Sequence, residues 1–131
     1  MINVVGVGSL DKSGTNVASF SSRGMTTWDL LSGHGIIKPD ILTFGTNIKA
    51  LSHADDEVCT LSTGTSISSS IISASAALAL SQIKDKQYRK DIQNGAFIKE
   101  ALLNSAKKSP GLSATEQGAG IFDLDNFMTT V

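Results

Sequence analysis

The chain has 131 residues, 40% of them apolar and 18% charged, and a net charge of −1. That balance excludes a polybasic nucleic-acid binder and a disordered acidic tail, so no nucleic-acid partner is expected. Twelve glycines and 5% aromatic residues suit an α/β domain with close backbone packing, and a lone cysteine, Cys59, rules out an internal disulfide. Cys59 reads as a small buried side chain, the alternative being a disulfide to a cysteine outside this stretch.

In chain order, Met1 to Gly8 reads as a buried strand. Ser9-Leu10-Asp11-Lys12-Ser13-Gly14 follows as a polar turn, and Ala18 to Ser21 as a short extended piece. His34, in Ser32-Gly33-His34-Gly35, falls in a polar stretch that reads as a surface loop. Ile41 to Phe44 is the next strand. His53, in Leu51-Ser52-His53-Ala54-Asp55, again sits in a loop-like stretch. From Val58 to Ile83 no residue is charged. There Gly64 and Thr65 turn and cap into a long helix whose Ile67, Ile71, Ala74 and Leu78 recur at i, i+4, i+7, i+11, which predicts that this face is buried. The uncharged run is long enough to span a bilayer, but the seven serines from Ser66 to Ser81, with Thr60, Thr63 and Thr65, argue against lipid exposure. No membrane segment is expected. The start of the chain has no basic n-region, and Ile2 to Val7 is too short for a signal core. As written, the chain is not expected to enter the secretory pathway by itself.

Lys84 to Asp91 reads as a charged, solvated connection. Gly95 to Lys107 is an amphipathic helix with Phe97, Ile98, Ala101, Leu102 and Ala106 on its apolar side, ended by Ser109-Pro110-Gly111. Asp123 to Thr130 is a short closing helix through Leu124 and Phe127. With no repeat, low-complexity tract or linker, residues 1–131 read as one partial domain.

Ser66 is the residue whose position carries chemistry. On the first turn of its helix it lies beside free backbone N–H groups and the positive end of the helix dipole, both suited to a developing oxyanion. The same Gly-Thr-Ser turn also serves as an ordinary helix cap. A phosphate at this helix start is a further reading, but neither G-x-x-x-x-G-K-[ST] nor a G-x-G-x-x-G after a strand is present. The G-x-S-x-G elbow is broken by Ser68, where its second glycine would stand. A cysteine nucleophile lacks an adjacent histidine motif. His53 with Asp55 and Asp56 lacks the spacing of a metal site, so neither metal nor cofactor is expected.

Several blocks of the chain resemble the subtilisin-like serine peptidases, the subtilases. Leu61-Ser62-Thr63-Gly64-Thr65-Ser66 before a small-residue helix is similar to the family's serine motif. Ala18-Ser19-Phe20-Ser21-Ser22-Arg23-Gly24 looks like its upstream strand and turn. Lys38-Pro39-Asp40-Ile41 through Ile48 resembles its K-P-D strand and glycine turn, and Gly118-Ala119-Gly120-Ile121 the turn before its closing helix. Within the family, Phe20 through Trp28, Phe44-Gly45 and Cys59 look most like the branch of membrane-bound transcription-factor peptidases of the secretory pathway.

The resemblance implies an α/β fold: the C-terminal portion of a subtilisin-like domain, a parallel sheet with flanking helices. It implies a polypeptide substrate, with Ser66 as the acyl-forming nucleophile and its N–H as one oxyanion donor. The family's aspartate motif, its H-G-T-H motif and its oxyanion asparagine belong before Met1 in chain order, so the missing N-terminal part of the same catalytic domain is the implied partner. Neither His34 nor His53 is followed by the Thr-His of the family motif. The chain departs from the family at Ser70, where a proline is usual, and at Ser73-Ala74, where Ala-Gly is frequent. Alone, it is expected to be inactive and to fold poorly, because sheet partners are lacking. The other reading is an inactive fragment, or pseudo-peptidase, that acts at most as a binding module.

Overall fold

The computed structural model describes residues 4–25, 35–54 and 57–131. Its elements are β1 (Val7–Leu10), β2 (Gly24–Met25), β3 (Ile37–Lys38), β4 (Ile41–Phe44), β5 (Ile48–Leu51) and β6 (Cys59–Ser62), then α1 (Thr65–Gln82), α2 (Lys86–Ile92), α3 (Gly95–Ser105), α4 (Ala114–Gln117) and α5 (Leu124–Thr130). This is the mixed α/β arrangement expected of part of a subtilisin-like fold.

β1 and β4 form a parallel pair, in register from Val7↔Ile41 to Leu10↔Phe44. Because side chains alternate along a strand, Val7 and Ile41 face one side and Leu10 and Leu42 the other. Ile41 joins a core with Ile72, Ala79, Ala101, Leu102 and Phe127, while Leu10 and Leu42 pack with Val17, Leu112 and Ile121 on the opposite face. Burial on both faces is what parallel strands require, and it explains the short apolar run at 41–44. The other edge of β4 is closed by the segment before α5. There Leu42 N–H donates to Gly120 O at 2.9 Å and Phe122 N–H to Leu42 O at 2.7 Å.

Several expectations change in the structure. β1 runs through Ser9 and Leu10, both fully buried, so the turn begins only at Asp11. Asp11 closes it, its N–H donating to Asn16 O at 2.8 Å and its carboxylate accepting Gly14 N–H at 3.0 Å. Met1, Ile2 and Asn3 of the predicted first strand lie outside the described residues. The charged connection at 84–91 folds into α2, because Asp85 accepts the N–H groups of Gln87 and Tyr88 and so caps it. The closing helix buries Phe127 but leaves Leu124 41% exposed.

Two larger corrections concern packing. The buried stripe of α1 is Ser68, Ile72, Ser75 and Ala79, one residue on from the predicted one. That is the same i, i+4, i+7, i+11 spacing turned by about 100°. An uncharged helix with serines on both its buried and its exposed sides gives periodicity little to choose between, and Ala74 and Leu78 end up exposed. Cys59 is exposed rather than buried. It lies on β6, which pairs with β5 as an antiparallel ribbon, opposite Leu51. On that face of the ribbon Leu51 and Leu61 are 73% and 68% exposed, with no described element covering them.

Candidate active site

Ser66 is the second residue of α1 and is exposed. Ahead of it Gly64, at φ 154°, makes a turn open mainly to glycine. The Gly64 C=O accepts Ile67 N–H at 3.1 Å and Ser68 N–H at 3.4 Å. The N–H groups of Thr65 and Ser66 precede the first intrahelical bond. No acidic side chain in the first turn offsets the positive end of the helix dipole.

The serine turn is clamped to the carboxyl ends of the parallel strands. Gly64 N–H donates to Gly45 O at 2.8 Å, and the buried Ser68 hydroxyl donates to Phe44 O at 3.1 Å. Gly45, directly after β4, has no room for a side chain. A Cβ there would overlap the hydroxyls of Ser68 and Ser9 and lie 2.8 Å from Gly64 O. Thr46 Oγ1 donates to Leu10 O at 2.7 Å, which ties the same loop to the end of β1. Asn47, at φ 56°, donates its N–H to Thr63 Oγ1 at 2.9 Å, just ahead of Gly64. The nucleophile candidate therefore stands beyond the carboxyl ends of β1 and β4, where open parallel sheets place their ligands.

Of the helix serines, Ser70, Ser73 and Ser75 donate back to the carbonyls four residues earlier. Such back-bonding satisfies hydroxyls within the helix itself. The Ser66 hydroxyl holds no hydrogen bond to any described residue. His53 lies at the exposed tip of the β5–β6 ribbon and does not reach it; His34, Asp55 and Asp56 lie outside the described residues. Among the described residues no group of three His, Cys, Asp or Glu side chains gathers as a metal site. Sequence reasoning gave Ser68 and Gly45 no part in holding the serine turn. A glycine directly after an apolar strand and a hydroxyl at the first position of a buried stripe are the signals that would have found them.

The charged cluster sits at the other end of the strands. Asp40, just before β4, accepts Gly6 N–H and Lys38 Nζ, each at 2.5 Å, and Lys99 Nζ lies 3.8 Å away. Partial burial opposes ionisation of its carboxyl. The hydrogen bonds from Lys38 and Gly6, with the charges of Lys38 and Lys99, outweigh it and hold the carboxyl below the usual aspartate range. This cluster fixes the starts of β1 and β4 to α3, far along the sheet from Ser66.

A profile of the subtilase family matches residues 1–120. The chain belongs to the subtilase family. It is 38% identical over 123 residues to the membrane-bound transcription factor site-1 protease of Mus musculus, a match covering 94% of this chain and 11% of that protein. It is 40% identical over 122 residues to the subtilisin-like protease SBT6.1 of Arabidopsis thaliana, covering 93% and 11%. The chain thus spans about a tenth of the length of these relatives. Among solved structures, the Clostridium perfringens CspB protease superposes with a TM-score of 0.78 at 26% identity, covering 95% of this chain and 25% of that one. The patellamide maturation protease PatA superposes at 0.68 and 25% identity, covering 97% and 42%. Among the described residues of this subtilase chain, no helix is long and apolar enough to cross a membrane.

Proposed function

We propose that this subtilase chain is the nucleophile-bearing C-terminal part of a serine endopeptidase domain, residues 1–131 forming one partial domain. The observation that carries this is the placement of Ser66. It is an unbonded, exposed hydroxyl on the first turn of an uncharged helix, clamped over the carboxyl ends of two parallel strands. In the reaction, a histidine from the N-terminal part of the domain takes the Ser66 proton as Oγ attacks the substrate carbonyl, and an aspartate there orients that histidine. The Ser66 N–H and an asparagine from the same missing part hold the oxyanion. The histidine returns the proton to the leaving amine, and water then releases the acyl group by the same steps. The substrate is a polypeptide. For a longer product carrying this segment, the resemblance implies the secretory pathway.

The test is a fusion of the part of the mouse catalytic domain that precedes the matched region to this chain, treated with a fluorophosphonate. Covalent labelling that is lost in Ser66→Ala supports the reading, and no labelling of a folded fusion removes it. The second reading is an inactive fragment acting as a binding module. It is favoured by the position of His53 on the ribbon tip, where no base is offered to Ser66. Labelling and peptide cleavage by the chain alone would remove that reading.

A further inference from the structure

Asn94 is the one asparagine of six that is followed by glycine. Asparagine is among the chemically labile side chains, because its amide carbon is open to attack by the backbone nitrogen of the next residue. The bulk of that next residue controls the attack. Gly95 places no side chain beside its nitrogen, whereas Asn3, Asn16, Asn47 and Asn126 are followed by Val, Val, Ile and Phe. Asn104 precedes the small Ser105 but lies inside α3, where the Ser105 N–H belongs to the helix ladder. Asn94 and Gly95 form the exposed junction between α2 and α3. Two features of Asn94 hold it. Its Oδ1 accepts Phe97 N–H at 2.8 Å and its Nδ2 donates to Asp91 O at 3.1 Å, so both ends of the amide are tied. Its backbone is extended, at ψ 151°, which keeps Cβ turned away from the Gly95 nitrogen and the amide carbon out of line for attack. Gly95 adds no protection of its own. As the first residue of α3, its N–H precedes the first intrahelical bond, Ile98 N–H to Asn94 O at 3.1 Å, so no bond of the helix ladder guards it. The cap alone protects this amide, and only while it is closed.

We propose that Asn94 is a self-modification site, a deamidation centre gated by the N-cap of α3: closed while the α2–α3 junction is folded and active when that junction opens. The Gly95 nitrogen bonds to Asn94 Cγ and gives up its proton. The Cγ–Nδ2 bond breaks, and Nδ2 leaves with that proton as ammonia. Water then opens the cyclic imide. Cleavage between the nitrogen and Cγ leaves aspartate, and cleavage between the nitrogen and the backbone carbonyl carbon leaves isoaspartate. Water is the one co-reactant. The two products act in opposite directions. Aspartate keeps the oxygen that accepts Phe97 N–H and sets a negative charge at the positive end of the helix dipole, so the cap survives. Isoaspartate routes the main chain through Cβ and Cγ, lengthening it by a carbon, and the cap geometry is lost. Because α3 carries Ala101 and Leu102 into the core beside Ile72 of α1, that product loosens the packing beneath the serine-bearing helix. The site thereby records how long the junction has stood open, a local unfolding event rather than a global one.

The experiment incubates the 131-residue chain in mildly alkaline buffer, with and without urea, and follows its peptides by mass spectrometry, with fragmentation separating isoaspartate from aspartate. The fusion that tests Ser66 is run alongside, so that a junction open only because the chain stands alone is recognised. Conversion is expected at Asn94 before any other asparagine, as a mixture of the two products. It should run about tenfold or more faster in urea than in native buffer, in the chain or in the fusion, because urea holds the junction open. Gly95→Ala, which sets a methyl beside the attacking nitrogen, should slow conversion about tenfold or more in urea, where the fold plays no part. A different asparagine converting first, no conversion of Asn94 in urea, or an undiminished rate in Gly95→Ala overturns the site. Equal rates with and without urea in both the chain and the fusion overturn the gate.

Discussion

Replacing Ser66 by alanine tests a hydroxyl that no packing or hydrogen bond requires, because the side chain is exposed and unbonded. In the fusion with the mouse N-terminal segment, Ser66→Ala should abolish fluorophosphonate labelling and leave the unfolding free energy within about 0.5 kcal/mol of the parent, as for other exposed substitutions. Gly45→Ala should do the reverse. Its methyl would overlap two buried hydroxyls, and overpacking of this kind costs about 1–3 kcal/mol by urea denaturation. It should also slow labelling by shifting the serine turn. Asp40 sets a pH dependence. Its folded-state pKa lies below that of an unfolded aspartate, about 3.9. Its contribution is therefore complete above that value and is lost as pH falls through the folded pKa. Acid titration followed by circular dichroism should show a shallower acid loss of stability in Asp40→Asn, along with lower stability at neutral pH.

At the scale of elements, α2, α3 and α5 are each held at their starts by a single side chain, Asp85, Asn94 and Asp123. Asn94 accepts Phe97 N–H at 2.8 Å to open α3, and α3 carries Ala101 and Leu102 into the core. Asn94→Ala should lower stability by about 1 kcal/mol in urea unfolding of the fusion. α1 has no such cap and takes its position from burial instead. Ile72→Ala on its buried stripe should cost about 2–5 kcal/mol in the same assay. The sequence pointed to α1 and α3 through long apolar periodicity and to α5 through Phe127. It missed α2 and the β5–β6 ribbon, which have no uniform pattern: charged residues in α2 are held by the Asp85 cap, and the ribbon is covered on too few sides to show clean alternation. The place of Ser66 was legible because a hydroxyl after Gly-Thr at a helix mouth is a local feature. Its clamp through Ser68 and Gly45 was not, because it joins residues 24 and 19 positions apart.

At the scale of the whole molecule, a two-stranded parallel sheet with one open edge and a helix exposed on an apolar flank is an incomplete layer structure. The isolated chain is therefore expected to melt without a cooperative thermal transition, and to gain one when the N-terminal segment is bound. Scanning calorimetry of the chain with and without the segment checks this. A sharp transition in the chain alone would mean that its own core suffices.

What the sequence determined by itself was local: a strand at 41–44, a serine on the first turn of a long uncharged helix, helices read at 95–107 and 123–130 and found at Gly95–Ser105 and Leu124–Thr130, and the motif order that marks the family. These follow from near-neighbour periodicity and backbone preference. Only the tertiary structure decided which side of α1 is buried, that Cys59 is exposed, that Ser68 and Gly45 hold the serine turn, and which edge of β1 stays open. Those outcomes depend on contacts between distant segments, and an uncharged helix with serines among its apolar residues on every side carries little local signal to choose among them.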